Sequence, residues 1–341
     1  EEMLTPGPGR VRGLVTVAGN PVLSTPNGRQ LDQALSSLDF MVSVDFYVNE
    51  TTRHAHLILP PTSPLEHDHY DVVFHVLAVR NTAKYSPALF APPAGALQDW
   101  EIFNGLTARL ARGQRLGWLR SRARALALRL APPRRLLDLG LRAGPHGRRS
   151  AHRLSLRALE AAPHGVDLGP LESCLPGRLG TAGRRVQLAP ALLLADVARL
   201  QSRLLERPAA TNGELRLVGR RQLRSNNSWM HNSRRLVKGP ARCTLLMHPA
   251  DAAARGLSQG DAVVVESRVG AIPLPLEVSE EMMAGTVSIP HGWGHARPGV
   301  VAQVAAAHPG ASINDVTDEL AVDALTGGAA FSGVPVLVRR A

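Results

Sequence analysis

Gly219-Arg220-Arg221-Gln222-Leu223-Arg224-Ser225-Asn226-Asn227-Ser228-Trp229-Met230-His231-Asn232 follows a run, Glu214 to Val218, that reads as a half-buried strand. Leu215 and Leu217 alternate there with Arg216, the period-two pattern of a sheet with one apolar face. Fourteen residues then carry three Asn, two Ser, one His and three Arg. Neutral donors beside fixed positive charge suit a polar, anionic ligand such as a dinucleotide. From the loop alone, a ligand-binding strand end and a solvated loop of turn residues fit equally well.

Working outward, the C-terminal third is β-rich. Val263-Val264-Val265, Ile272 to Val278 and Val334 to Val338 are short runs separated by Gly and Pro, the texture of a small barrel. Pro249 to Arg255 reads as one short helix, with Pro at its start, Asp251 in the first turn and Gly256 beyond its end. Gly256-Leu257-Ser258-Gln259-Gly260 matches G-x-S-x-G. A nucleophile elbow needs a strand before the Ser and a helix after it, and the order here is the reverse.

The first 110 residues mix strand-like runs, Val11 to Val17 and Met41 to Tyr47, with helical stretches. Leu97, Trp100, Phe103, Leu106 and Leu110 recur at helical spacing, with Asp99 in the first turns. Strands alternating with helices predict a parallel α/β sheet whose ligands sit beyond the carboxyl ends of the strands. Gly19-Asn20-Pro21 and Asp45 fall at two such ends. Asn20 can offer an amide to a phosphate or base, and Asp45 can accept from a ribose hydroxyl or a guanine edge; a turn and a helix cap are the plainer readings. His54-x-His56 and His67-x-His69, near Glu66, Asp68 and Asp71, have strand-compatible spacing for metal ligands, but nothing in the sequence joins the two pairs, and loop histidines are expected.

Composition narrows the function classes. The chain has 341 residues, a net charge of +11 and 4% aromatics. Lys84 and Lys238 are the only lysines among 39 basic residues, so the charge is an arginine bias of the whole chain. Fourteen Arg lie between 109 and 157, in a stretch broken by Pro132-Pro133 and Gly144-Pro145. A basic arm for nucleic acid is one reading of it, and a solvated or acid-facing helical surface is the preferred one. So few aromatics do not make a stacking platform for single-stranded bases. Cys174 and Cys243 stand apart, so this chain by itself offers no zinc site or four-cysteine cluster. No run of eighteen apolar residues and no secretory signal appear.

Taken together, these segments resemble the later portion of the molybdopterin-guanine-dinucleotide oxidoreductases, the group of formate dehydrogenases, nitrate reductases and dimethyl sulfoxide reductases. The matching text is Val17-Ala18-Gly19-Asn20-Pro21, Val44 to Thr52, and Leu57-Ile58-Leu59-Pro60-Pro61 with Glu66 after it. In the C-terminal region it is the Gly219 to Asn232 loop, His291-Gly292-Trp293-Gly294-His295, and Ser312 to Glu319.

The resemblance implies an α/β domain over residues 1–110, an Arg-rich helical connecting region over 111–211 and a double-psi β-barrel over 212–341. It implies that Asn20, Asp45, His67 and Asp99 contact the cofactor from the α/β side, Asp99 pairing with the guanine edge as a carboxylate that accepts two N–H bonds. Gly219, Arg220, Ser225, Asn226, Asn227, Ser228, Asn314 and Ser332 would contact it from the barrel. The cofactor implied is bis-molybdopterin guanine dinucleotide with molybdenum, serving two-electron redox or oxygen-atom transfer, and the activity implied is formate-dehydrogenase-like. The family has Asp where this chain has His56. Its iron-sulfur cysteines and metal-ligating residue lie upstream of everything matched, so no residue here is assigned as catalytic or as a metal ligand. The chain is expected to be a C-terminal part whose partners are the upstream part of the same enzyme, a small-molecule substrate and an electron-transfer subunit. It is expected to be cytoplasmic, any export signal lying upstream. The alternative is a degenerate or non-catalytic binding module that uses the Arg-rich middle on nucleic acid.

Overall fold

The computed structural model describes residues 2–110, 117–205 and 213–341. The described chain forms two compact units, Glu1–Leu59 with Arg207–Ala341, and Pro60–Glu206. The compositional boundaries of the connecting region, at 111 and 211–212, lie outside the described residues.

In the first unit, β1 (Gly13–Val17), β2 (Phe40–Val44) and β3 (Leu57–Ile58) form a parallel sheet with β2 in the middle. Met41 to Val44 are buried without alternation, as a strand covered on both faces requires. β1 begins two residues later than its apolar run, and β2 stops at Val44, which leaves Asp45 as the first residue past the strand. α1 (Pro21–Ser24) starts on Pro21, whose missing N–H and fixed φ suit the first helical position. α2 (Gly28–Ser36) is capped by Asn27, whose side chain accepts from the Gln30 N–H. Val22, Leu35, Leu38 and Met41 form the core between these helices and the sheet.

The second unit holds two small antiparallel pairs, β4 (His69–Tyr70) with β6 (Tyr85–Ser86), and β5 (Arg80–Ala83) with β7 (Val166–Pro170). Its helices are α3 (Asp99–Leu110), α4 (Gly117–Leu130), α5 (Pro133–Ala143), α6 (Leu156–Glu160), α7 (Ala191–Ala195) and α8 (Val197–Leu205). Tyr85, Leu141, Leu154, Leu156 and Leu159 make its core. Part of the arginine density pairs locally, Arg142 with Asp138 at 2.7 Å and Arg134 with Glu160.

The rest of the first unit is a closed six-stranded barrel of β8 (Leu215–Arg220), β9 (Leu245–Met247), β10 (Ala262–Glu266), β11 (Ala271–Val278), β12 (Thr286–Pro290) and β13 (Val334–Arg340). Around the barrel the order is β10-β11-β9-β12-β8-β13, with β11–β9 and β12–β8 parallel and the other pairs antiparallel. Inward positions alternate strictly: Ile272, Leu274 and Leu276 on β11, and Val334, Val336 and Val338 on β13, are buried. Pro273 and Pro275 are tolerated because that half of β11 pairs only with β10. α9 (Pro249–Ala253) precedes β10, so Ser258 sits between a helix and a following strand, and Gly256 takes the left-handed φ of 62° that ends the helix turn. A last short helix, α10 (Gln303–Ala306), lies beyond β12.

Candidate functional site

Asn20 follows the carboxyl end of β1, and Asp45 follows that of β2, so the parallel sheet brings the two together at one edge. The strand-end loop after β8 lies across from them in the same unit. Between them is a cavity of about 360 Å³, bordered by Ala18, Gly19 and Asn20, by Gly219 to Arg221 and Asn227 to Trp229, by His291 and Gly292, and by Asn314, Thr317 and Ser332. Five segments far apart in sequence thus converge on one space. β8 runs on to Arg220, so Gly219 and Arg220 are strand residues rather than loop.

The loop's shape is fixed by its asparagines. Asn226 and Asn227 have φ of 41° and 57°, the left-handed region that Asn enters more readily than other side chains. This turns the Asn227 carbonyl onto Gly292. A Cβ there would lie 2.0 Å from that oxygen, and φ is 101°, so only glycine fits. Ser228 faces both this cavity and a smaller adjoining one that also holds Asp45, Asn49, Glu50, Trp229 and His295.

Individual side chains differ in what they have left to offer. Arg220 turns its guanidinium to the Thr244 carbonyl at 3.0 Å, the Thr244 hydroxyl at 2.8 Å and the Ser288 carbonyl, so it braces the barrel. Its neighbour Arg221 borders the cavity and bonds the Asn227 side chain. Asn314 is fully buried, donating to the Leu23 carbonyl at 2.7 Å and accepting from Thr317 at 2.8 Å. Asn20 donates to Glu50 at 2.7 Å and accepts from the Thr51 hydroxyl at 2.7 Å. Asp45 accepts from the Tyr47 N–H and the Asn49 amide, and burial raises its pKa. Asn226 and Ser225 border a second opening of the loop together with Arg221 and His291.

Behind the cavity lies a buried hydrogen-bonded chain. Glu50 meets His295 Nδ1 at 2.8 Å, His295 Nε2 meets His231 Nδ1 at 2.9 Å, and His231 Nε2 meets the Ser225 hydroxyl at 2.7 Å. All four residues are at most 4% exposed. Burial would raise the Glu50 pKa, but hydrogen bonds from His295 and Asn20 and the charge of His295 hold it below the usual range. Burial, and then His295, push His231 down to about 4. His291 is lowered by burial and by Arg221.

A charged cluster ties this unit together. Asp32 on α2 bonds Arg53, His54 at 2.7 Å and Arg297 at 3.2 Å, and Arg297 also bonds Asp315 at 2.7 Å.

The sequence-derived set therefore divides. Asn20, Gly219, Arg220, Asn227, Ser228, Asn314 and Ser332 border the main cavity, Asp45 the adjoining one, and Ser225 and Asn226 the second opening. His67, bonded to the Thr62 hydroxyl at 3.2 Å, and Asp99, the first residue of α3, belong to the second unit. His54 and His56 have separate partners, Asp32 and the Met41 N–H. Among the described residues no three His, Cys, Asp or Glu side chains gather as a metal site. Sequence reasoning passed over Arg221, Thr317, Trp229 and the Glu50–His295–His231 chain. His291 and His295 lie in one short motif, yet one faces the cavity and the other is buried behind it.

The same segments are those by which the chain is similar to known proteins. Residues 3–109 match the family model described as molybdopterin oxidoreductase, and residues 215–335 match the molydopterin dinucleotide binding domain. The chain is 31% identical over 106 residues to the assimilatory nitrate reductase catalytic subunit of Bacillus subtilis, a match covering 31% of this chain and 14% of that protein. It is 29% identical over 119 residues to the F420-dependent formate dehydrogenase subunit alpha of Methanocaldococcus jannaschii, covering 34% and 17%. With the dimethyl sulfoxide/trimethylamine N-oxide reductase of Rhodobacter capsulatus the identity is 24% over 319 residues, covering 81% and 35%. Acetylene hydratase from Pelobacter acetylenicus has the same fold with a TM-score of 0.72 and 18% identity, over all of this chain and 46% of that one. These matches cover well under two thirds of each relative's length. Among the described residues no helix is long and apolar enough to cross a membrane.

Proposed function

We propose that this chain, which belongs to the molybdopterin oxidoreductase family, holds molybdopterin guanine dinucleotide between the strand ends of its α/β sheet and the loop after β8. The observation that carries the reading is the convergence of Asn20, Asn227, Ser228, Thr317 and Ser332 with Arg221 and His291 on one cavity. The donor set fits the group: neutral amides and hydroxyls suit a guanine edge and ribose, Arg221 supplies positive charge for a pyrophosphate, and Gly292 lets the loop backbone come close. Asp45, buried but with two donors of its own, is read as an acceptor for an N–H or O–H edge. Arg220 and Asn314 are read as supports that set the positions of β8 and the 313–317 turn, because their polar groups are committed within the protein.

We read the barrel as the double-psi type, and the cofactor contacts as those named above within the first unit. The bound cofactor supplies two-electron redox or oxygen-atom transfer at molybdenum, while these residues bind, orient and screen charge. The upstream part of the enzyme would bring the iron-sulfur and metal-ligating residues, with an electron-transfer subunit as partner. Similarity to the formate dehydrogenase subunit supports a formate-dehydrogenase-like activity. Similarity to nitrate reductase supports a nitrate-reductase-like one equally.

The test is calorimetric titration with guanosine diphosphate, which carries the guanine and pyrophosphate of the dinucleotide. Saturable binding weakened at least tenfold by Arg221→Ala and by Ser228→Ala is expected. Equal binding by both variants and the parent chain would remove the loop from the site, and no binding at all would remove the cavity.

A further inference from the structure

The Glu50–His295–His231–Ser225 chain is more than a filled polar pocket, because its two ends attach to different segments that border the cavity. Glu50 also accepts from Asn20, at the end of β1, while Ser225 opens the loop that carries Asn226 to Trp229. His231 closes that loop on itself by bonding Ser225 six residues earlier, and its ring lies 4.1 Å from the Trp293 ring. We propose that Glu50, His295 and His231 are positioning residues that form one proton-ordered relay, whose direction sets the Ser225 hydroxyl and the loop's hold on an anionic ligand.

The bonding inventory leaves two arrangements. With both imidazoles neutral, Glu50 accepts from His295 Nδ1–H. His295 Nε2 then accepts from His231 Nδ1–H, and His231 Nε2 accepts from the Ser225 O–H. Adding one proton to His295 makes both of its nitrogens donors. His231 must then accept at Nδ1 and carry its hydrogen on Nε2, which donates to the Ser225 oxygen. The Ser225 hydrogen is released from the relay, toward the opening that Ser225 shares with Arg221, Asn227 and His291. Nothing is oxidised or reduced; one proton enters from solvent and two bonds reverse direction.

The surroundings favour the added proton on His295 rather than His231. His295 bonds the Glu50 carboxylate directly at 2.8 Å, whereas for His231 burial, the adjacent His295 and Arg242 together outweigh the support it gets from the Gly292 backbone and the more remote Glu50. Arg53 is no competitor for the carboxylate, since it bonds the Glu50 backbone carbonyl and Asp32. A depressed His231 pKa agrees with this placement.

A ligand phosphate that accepts the released Ser225 hydrogen therefore binds together with a proton. This rests on the dinucleotide reading of the cavity, but the relay itself is tested without ligand. In ¹⁵N-histidine NMR of the whole chain between pH 8 and 5.5, with His231→Gln to assign the signal, His231 should change from the Nδ1–H to the Nε2–H tautomer while staying neutral. Glu50→Gln should abolish the change. A His231 ring with one unvarying tautomer, or one that ionises in that range, overturns the relay. For binding, guanosine diphosphate affinity of the parent chain should rise with falling pH by up to about tenfold per pH unit beyond the rise seen in Ser225→Ala. Equal slopes overturn the coupling. A correct tautomer change in a chain that never binds the nucleotide retains the relay and refutes the dinucleotide site instead.

Discussion

Acidification should cost the barrel-bearing unit a predictable amount of stability through His231. The ring is 4% exposed, wedged between Trp293 and His295, and has a pKa of about 4 against an ordinary value of 6.5. The unfolded chain takes up a proton as pH falls through 6.5, while the folded chain does so only near 4. Stability from this group is therefore complete above about pH 7.5 and is lost as pH falls from 6.5 toward 4. Each pH unit in that window removes about 1.4 kcal/mol, and at pH 4.5 the accumulated loss is roughly 2.5 kcal/mol. Urea unfolding of the parent chain and of His231→Gln, followed by tryptophan fluorescence at pH 7.5 and pH 4.5, measures it. Other acid-sensitive pairs, such as Asp32 with Arg297, titrate in both chains and cancel in the comparison. The parent should lose roughly 2–3 kcal/mol more than the variant over that interval. An equal loss in the two chains would mean that His231 is not held neutral by burial.

Three other outcomes follow from the packing. Leu217, fully buried on β8, should cost about 2–5 kcal/mol when replaced by Ala, read as a lower urea midpoint, because it leaves a cavity in the barrel core. Gly292→Ala should displace the Asn227 carbonyl and weaken guanosine diphosphate binding at least tenfold, while far-ultraviolet circular dichroism keeps its native shape; unchanged binding would show that the loop and Gly292 are not in contact. With Cys243 buried and its thiol pushed up to about 11 and Cys174 exposed, a thiol reagent at pH 8 should modify a single cysteine in the native chain and both in urea.

Much of the architecture was legible because period-two alternation survives wherever one face of a strand is buried. Ile272 to Val278 and Val334 to Val338 show it plainly, and both strands form where their patterns lie. The α/β sheet was legible from turn chemistry at strand ends, with Asn20 and Asp45 at one edge. The parts that escaped are those set by tertiary pairing. Nothing local distinguishes Arg220 from Arg221, yet the strand's pleat and register with β12 send one guanidinium into the barrel's carbonyls and leave the other beside the cavity. Glu50 and His295 are 245 positions apart and carry no local sign of their bond. His54-x-His56 fails as a unit because its members serve a carboxylate and a backbone N–H on different elements.

The central claim is that this chain holds a guanine dinucleotide cofactor, and the most direct measurement is of what it carries. The chain, with any polypeptide that co-purifies with it, should be isolated from cells supplied with molybdate, denatured in acid, and assayed for guanine nucleotide and molybdenum. The account predicts that both are released in fixed proportion, and that Arg221→Ala lowers the two together. Folded protein that releases molybdenum without guanine nucleotide, or neither, would contradict it.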